Sequence, residues 1–293
     1  MLVNVDHDVA WDETLDADIH VSHTNFPDSV RSRITRSHRV VFVGHGTPEH
    51  VMEGAVNAAA APGYGPPDGW MLLRHWLRTA DAVVTFWPRH QAIYQAMVPR
   101  ERVIDCVPMG VDLAFWKDGV DHGKYAGTPS VWTSENQHNI KWVLDVLNAW
   151  PIVTEAIPAA RLHAHYIPTS LHRFLIDLAN SNGAAFRSYL SSGTYPHESL
   201  RSMWKSFDFF LGPVRYGDHN CLSMQAAAAG LTTISYTGNE YADYWIPEGD
   251  HREMAAALVR IFRREVEPRA NKLAVPDLSD MGEALVRIYE RIL

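Results

Sequence analysis

The chain has 293 residues, a formal net charge of −8 and two cysteines, and 46% of its residues are hydrophobic. This length favours two domains, and the negative charge provides no overall attraction to nucleic acid or to an anionic membrane. Two cysteines argue against a disulfide framework, and no apolar run is long enough to cross a bilayer. The acidic N-terminus lacks a signal-peptide pattern, so we expect a soluble cytoplasmic protein.

Strands and helices alternate along residues 1–116, a pattern typical of a parallel sheet with helices on both faces. The predicted strands are 2–6, 18–22, 39–44, 81–86 and 103–108. The predicted helices are 48–59, 68–79 and 88–97. These residues are predicted to form a first Rossmann-like, doubly wound α/β domain.

Residues 117–129 contain three glycines and a proline and are predicted to be an interdomain linker. A second Rossmann-like domain is predicted at 130–278, with strands 130–133, 161–167, 185–190, 208–213 and 231–236 and helices 139–150, 171–180, 198–205, 223–229 and 252–262. Residues 279–293 form a predicted terminal helix with apolar residues at helical spacing. Two such domains would place a ligand cleft between the carboxyl ends of their sheets.

The most informative segment is residues 213–230, where an apolar strand leads through a polar loop into a helix of small residues that ends at a glycine. Backbone N–H groups around Asn220, Cys221 and Leu222, together with the positive end of the helix dipole, would meet a diphosphate. The same residues also fit an ordinary βα unit whose alanine face packs on the sheet. This segment alone leaves both interpretations open.

Four segments, in order, resemble the nucleotide-sugar glycosyltransferases of the GT-B fold, particularly the group 1 superfamily that includes the glycogen synthases. They are TADAVVTFW at 79–87, VIDCVPMGVDLAF at 103–115, the 213–230 segment and TTISYTGNE at 232–240. The resemblance implies two Rossmann-like domains facing across a cleft, with the terminal helix packing back on the first domain. It also implies transfer of a sugar from a nucleotide sugar, by family frequency a UDP-sugar, to an acceptor hydroxyl, with no bound cofactor.

The donor-binding residues implied by this resemblance depart from the family pattern. The two glutamates of the family fall here on Gly217 and Gln225, and Gln225 can still bond ribose hydroxyls without charge. The basic pair that usually holds the diphosphate falls near Thr133 and His138, so Lys141 or Arg215 is expected to take over that role. The predicted donor-binding set is Thr133, His138, Lys141, Arg215, His219, Asn220, Cys221, Leu222 and Gln225.

Three residues are predicted to act at the reacting groups, namely His45, Asp218 and Glu240. His45 follows a strand, and a neutral imidazole can accept a proton at pH 7; the segment also fits a helix-capping loop. Asp218 could replace the missing family carboxylate, or serve only the turn. Glu240 matches the acidic residue of the family that contacts the sugar, although Asn239 could instead cap a helix that begins at Glu240.

The stereochemical outcome decides whether a base is needed. In a retaining enzyme, the outcome that we predict, the leaving phosphate helps to take the acceptor proton, so electrostatic stabilisation matters more than a base. In an inverting enzyme, His45 is the candidate base. A non-catalytic nucleotide-sugar binder and a sugar epimerase of the same architecture are the alternatives.

Two clusters of residues bear on metal binding and on DNA binding. His163 and His165 alternate on one strand but lack a third ligand at suitable spacing, so no metal site is predicted. A basic stretch could follow a phosphate backbone or form a solvated helix face; its arginines are Arg31, Arg33, Arg36 and Arg39. Because small phage-type enzymes of this fold glycosylate hydroxymethylated bases, DNA stays among the expected acceptors.

Overall fold

The computed structural model describes residues 18–23, 39–44, 69–123, 127–133, 143–164, 196–214 and 221–293. Their strands are β1 (Ile19–His23), β2 (Arg39–Gly44), β3 (Ala82–Thr85), β4 (Ile104–Cys106), β5 (Ser130–Thr133), β6 (Arg161–Ala164), β7 (Phe209–Gly212), β8 (Thr232–Tyr236) and β9 (Tyr244–Ile246). Their helices are α1 (Gly69–Thr79), α2 (Pro88–Ala96), α3 (Leu113–Lys117), α4 (Val143–Ala156), α5 (His197–Trp204), α6 (Cys221–Ala228), α7 (His251–Phe262) and α8 (Leu278–Ile292).

The chain divides into two compact units, Met1–Gly110 with Pro276–Leu293, and Val111–Val275. In the first unit, the described strands form a parallel sheet in the order β1-β2-β3-β4. Its strands β2 and β3 are runs of apolar residues that are buried on both faces, as is typical of parallel sheets. One face packs against α1 and α2 through the core residues Val40, Phe42, Leu73, Trp76, Leu77, Ala80, Val83, Tyr94 and Ile104.

The last helix, α8, belongs to the first unit. Arg291 near its end forms a bidentate pair with Asp105 of β4, with Nη1 to Oδ1 at 3.1 Å. Leu285 and Ile288 are buried on its apolar face. At its start, Asp277 accepts the N–H of Ser279 in a capping box.

In the second unit, five parallel strands are ordered β6-β5-β7-β8-β9. Strand β5 comes first in the chain and lies inside the sheet, so the direction of strand addition reverses between β5 and β7. One face packs against α4 and α7 around Val131, Leu211 and Ile234. The opposite face carries an aromatic cluster: Trp116, Trp132, Trp204, Phe207 and Phe210.

The segment predicted as a linker, residues 117–129, lies within the second unit instead. The N–H of Val120 bonds Ser202 Oγ at 3.2 Å, and the N–H of Thr128 bonds the Ala159 carbonyl at 2.8 Å. A Cβ on Gly119 would lie 2.6 Å from the Arg201 carbonyl oxygen. This glycine therefore serves close packing against α5, which composition alone does not distinguish from a hinge.

The helix predicted at 139–150 does not end at Trp150; α4 continues through Pro151 to Ala156. An interior proline costs about 3 kcal/mol. Trp150 and Val153 are 3% and 0% exposed in the core beneath α7, and each buried side chain of this size contributes about 1.5–3 kcal/mol. Tertiary burial offsets the local penalty.

Two short elements were not predicted. Helix α3 starts where the Asp112 carboxylate accepts the N–H of Phe115 at 2.8 Å. The second is β9, which follows a turn in which Asn239 Oδ1 accepts the N–H of Tyr241 at 3.1 Å. This turn takes the place of the helix that was considered after Asn239.

Predicted elements at 2–6, 48–59, 171–180 and 185–190 lie outside the described residues. Within the described part of the chain, no helix has the length and apolar character needed to span a membrane. The same residues contain no group of three metal-ligating side chains.

Candidate functional site

The carboxyl edge of the second sheet is the candidate ligand-binding edge. Strand β5 ends at Thr133 and β7 ends at Gly212, and the two strands are direct neighbours in the sheet. The reversal of strand order between them is a topological switch point, and open parallel sheets bind ligands beside such points. The residues that follow these strands are therefore the candidates for binding.

Helix α6 begins at Cys221, shortly after β7, and it packs on β7 and β8. Its buried face includes the small residues Ala226 and Ala228 and the larger Met224. Gly230, at φ +93°, ends it in a Schellman motif in which the N–H of Leu231 bonds the Ala226 carbonyl. The N–H groups of the first turn, which have no partner within the helix ladder of any α-helix, then lie on the carboxyl side of the sheet, where helix N-termini bind anions.

Thr133, at the end of β5, has a buried hydroxyl without a hydrogen-bond partner among the described residues. The residue is 0% exposed, and its Oγ1 has no hydrogen-bond partner. On the same edge, the buried Ser235 hydroxyl donates to the Gly212 carbonyl at 2.9 Å. Buried polar atoms are nearly always paired, so an unpaired hydroxyl at the switch point is a candidate partner for a bound ligand or a water molecule.

A second buried polar contact at this edge was missed from sequence. Tyr236, the last residue of β8, donates its hydroxyl to Asp145 Oδ2 at 2.8 Å. Asp145 lies in the first turn of α4 and is 9% exposed. The pair fixes the start of α4 relative to the end of β8, and 91 residues separate the partners, so no local pattern could reveal it.

Glu240 is exposed in the loop between β8 and β9. Its carbonyl accepts the N–H of Leu273 at 2.9 Å and Arg269 Nη1 at 3.3 Å. The preceding Asn239 is 1% exposed, and its carbonyl accepts Trp245 Nε1 at 2.7 Å. The main chain that carries the Glu240 carboxylate is therefore held in place.

The structure places five of the predicted site residues in the second unit. Thr133 ends β5, and Glu240 lies in the loop that follows β8. Cys221 is exposed at the start of α6, while Leu222 and Gln225 are partly buried on the same helix. The other predicted residues lie outside the described part of the chain: His45, His138, Lys141, Arg215, Asp218, His219 and Asn220.

Arg39 is the one residue of the basic stretch that the structure describes. It begins β2, and its Nη1 pairs with Asp81 Oδ1 at 3.1 Å. Its charge is therefore compensated, and it lies at the amino end of the strand, opposite the edge where parallel sheets bind ligands. Arg31, Arg33 and Arg36 lie outside the described residues.

The carboxyl edge of the first sheet holds three small or polar residues side by side, with Gly44 opposite Thr85 and Thr85 opposite Cys106. A Cβ on Gly44 would lie 2.7 Å from the Tyr94 ring. Burial raises the pKa of the Cys106 thiol, so this thiol stays protonated at neutral pH and is a poor nucleophile.

No family model matches the sequence, and no curated protein sequence matches it. Solved structures do match. The sucrose-phosphate synthase of Thermosynechococcus elongatus superposes with a TM-score of 0.74 at 15% identity, over 94% of this chain and 73% of that one. The Anabaena protein HepE, in complex with UDP and glucose, gives 0.64 at 11% identity, over 90% and 74%. The pneumococcal O-GlcNAc transferase GtfA, in complex with UDP and GlcNAc, gives 0.64 at 12% identity, over 90% and 55%.

These matches define the architecture of the chain. It is an α/β protein with two Rossmann-like parallel sheets, and it has the GT-B fold of glycosyltransferases. The fold class predicted from the four sequence segments is confirmed.

Proposed function

We propose that this protein is a glycosyltransferase that moves a sugar from a nucleotide sugar to an acceptor hydroxyl. The observation that carries the proposal is the start of α6 at the carboxyl edge of the second sheet, the same edge at which β5 ends with the unpaired Thr133 hydroxyl. Two of the similar structures, HepE and GtfA, contain UDP, so we assign a UDP-sugar as the donor.

In this proposal the diphosphate lies at the first turn of α6, with N–H groups near Cys221 and Leu222 donating to its oxygens. Thr133 turns its hydroxyl to a phosphate oxygen. Lys141 or Arg215 supplies positive charge, and Gln225 bonds the ribose hydroxyls. His138, His219 and Asn220 complete the donor site.

We propose transfer with retention. The bond between the sugar C1 and the leaving diphosphate oxygen breaks as the acceptor oxygen bonds C1 on the same face. The acceptor hydroxyl proton passes to the leaving diphosphate oxygen, so no separate base is required. The N-terminus of α6 stabilises the negative charge that develops on the diphosphate, while Glu240 and Asp218 orient sugar hydroxyls and His45 contacts the sugar.

A negative charge introduced at the start of α6 directly tests whether the diphosphate binds there. Cys221 is exposed, so Cys221→Asp adds a carboxylate without disturbing the core, and Cys221→Asn is its uncharged match. At about 6 Å and an effective dielectric of about 20, one repulsive charge pair costs about 2–3 kcal/mol. We expect Cys221→Asp to weaken UDP binding about 10- to 100-fold and Cys221→Asn to stay within about threefold, as measured by calorimetry. Equal affinities for the two variants would contradict a diphosphate at this turn.

Thr133→Val separates binding from folding at the same site. Valine has nearly the same shape, and the Thr133 hydroxyl has no partner to lose. We therefore expect unchanged or slightly raised stability, by up to about 1 kcal/mol, with UDP affinity reduced about five- to tenfold. Thermal unfolding with and without UDP measures both quantities, and a variant that binds UDP as well as the wild type would remove Thr133 from the donor site.

Mass spectrometry of incubations with UDP-glucose and UDP-GlcNAc then identifies the reaction. Transfer or slow hydrolysis supports the enzyme, whereas stable binding without turnover indicates a non-catalytic binder and an isomerised nucleotide sugar indicates an epimerase. The acceptor classes to compare are glycans, small hydroxyl compounds and hydroxymethylated DNA. For DNA, affinity would fall steeply with salt, and Arg31→Ala with Arg33→Ala would flatten that slope.

A further inference from the structure

The β8–β9 loop, residues 237–243, is bound along its length by a segment that follows α7. The N–H of Arg269 bonds the Asp243 carbonyl at 2.9 Å, and the N–H of Leu273 bonds the Glu240 carbonyl at 2.9 Å. Two main-chain hydrogen bonds thus align residues 269–273 with the part of the loop that carries Glu240.

The Arg269 side chain adds a convergent set of contacts. Its Nη1 donates to the carbonyls of Asn239 at 3.1 Å, Glu240 at 3.3 Å and Ala242 at 3.0 Å. Its guanidinium carbon lies 3.6 Å from the centre of the Trp245 ring, within the range of a cation–π contact. The Arg269 guanidinium therefore contacts three main-chain carbonyls and an indole ring.

The far end of the loop is fixed to the sheet. Asp243 Oδ2 accepts two hydrogen bonds from Thr233, from the backbone N–H at 2.8 Å and from the side-chain hydroxyl at 2.9 Å. The other oxygen, Asp243 Oδ1, pairs with Lys272 Nζ at 2.7 Å. Strand β8 thus sets the position of one end of the loop, and Arg269 sets the position of the part around Glu240.

The charges around Arg269 favour this arrangement. Burial lowers the pKa of Arg269, and the nearby Glu240 and Asp243 carboxylates act in the opposite direction. Because an arginine side chain stays charged in proteins, its positive charge partly compensates the negative charge of the Glu240 carboxylate. A lysine at this position has a single ammonium group and no planar surface for the indole.

We propose that Arg269 is a positioning residue, which acts through the β8–β9 loop to hold the Glu240 carboxylate where the donor sugar binds. The inference rests on the proposed function, since Glu240 is assigned to the sugar there. Misplacing such a group by about 1 Å costs about 100-fold in rate, so the contacts to the three carbonyls matter for catalysis.

A double-mutant cycle tests this role. We expect Arg269→Ala to lower kcat/KM for the UDP-sugar about 10- to 100-fold, with UDP affinity changed less than threefold because UDP lacks the sugar. Arg269→Lys is expected to recover part of the loss. If Arg269 acts through Glu240, the double variant Arg269→Ala/Glu240→Gln has nearly the activity of Glu240→Gln alone. Arg287→Ala, in an exposed pair with Glu283 at 3.7 Å, is the control and keeps full activity.

The outcomes distinguish this inference from the proposed function. A wild-type protein that neither binds UDP nor turns over a nucleotide sugar overturns the proposed function. An active wild-type protein in which the Arg269 and Glu240 losses multiply overturns the positioning role, because independent effects then explain the data. Thermal unfolding of each variant identifies any that fail to fold, and Arg269→Lys with Glu240→Gln then completes the cycle.

Discussion

Replacing Trp204 by alanine is expected to destabilise the second unit by about 3–5 kcal/mol, a large share of the stability of an ordinary domain. The side chain is 0% exposed. Its ring stacks on Trp116 with centroids 5.1 Å apart and meets Phe210 edge-on at 5.7 Å. Its removal leaves a cavity bordered by rigid aromatic rings, which cannot collapse to fill it.

Two variants calibrate this result in urea unfolding. Trp204→Phe keeps most of the ring and removes an indole N–H that has no hydrogen-bond partner, so we expect a loss of about 1–2 kcal/mol. Val120→Ala, at a residue 60% exposed, should change stability by less than about 0.5 kcal/mol. A Trp204→Ala midpoint equal to that of Val120→Ala would mean that the aromatic cluster does not stabilise the unit.

Gly110→Ala is expected to detach α8 from the first unit. A Cβ at this position would lie 2.3 Å from the Asp277 carbonyl oxygen and 2.8 Å from the Leu278 Cα. Both neighbours are backbone atoms at the start of α8, so no side-chain rotation relieves the clash. We expect a cost at or above the upper end of the about 1–3 kcal/mol typical of overpacking.

Hydrogen exchange across residues 278–292 measures this effect locally. Amides of α8 in Gly110→Ala should exchange at least about tenfold faster than in the wild type, because the helix loses its contact at Gly110. Val103→Ala, at a residue 63% exposed in the same unit, is the control and should leave α8 protected. Equal protection in both variants would show that the backbone approach at Gly110 can be relieved at little cost.

The Gly-Val-Asp sequence at 110–112, which belongs to the second of the four resembling segments, has a structural explanation at each residue. Gly110 allows the close approach of Asp277, Val111 is 5% exposed, and Asp112 caps α3. The motif therefore identifies a packing arrangement of this fold. It does not identify a catalytic residue.

Elements set by local pattern were predictable. The bounds predicted for β2 and β5 agree with the structure, because buried parallel strands are short apolar runs. The continuation of α4 beyond Pro151 was not, since the proline penalty is local and the burial of Val153 comes from α7. Strand β9 has only three residues, and it is pairing with β8 that makes it a strand.

The residues of the candidate site also separate into those that local pattern predicts and those that depend on tertiary contacts. Thr133 and the start of α6 could be assigned to one sheet edge from sequence because the carboxyl ends of parallel strands share one edge. Arg269 could not, because it lies in a segment without periodicity, 30 residues from the Asn239 carbonyl that it bonds. Contacts of this kind follow from the path of the chain after α7, which no motif encodes.

The division of the chain has a consequence for the order of events during synthesis. The second unit is one continuous stretch, Val111–Val275, whereas the first combines Met1–Gly110 with Pro276–Leu293. Domains generally fold as units while the ribosome elongates the chain. The unit whose first residues are translated earliest must therefore wait for α8, so it is completed only after Val111–Val275 has been synthesised.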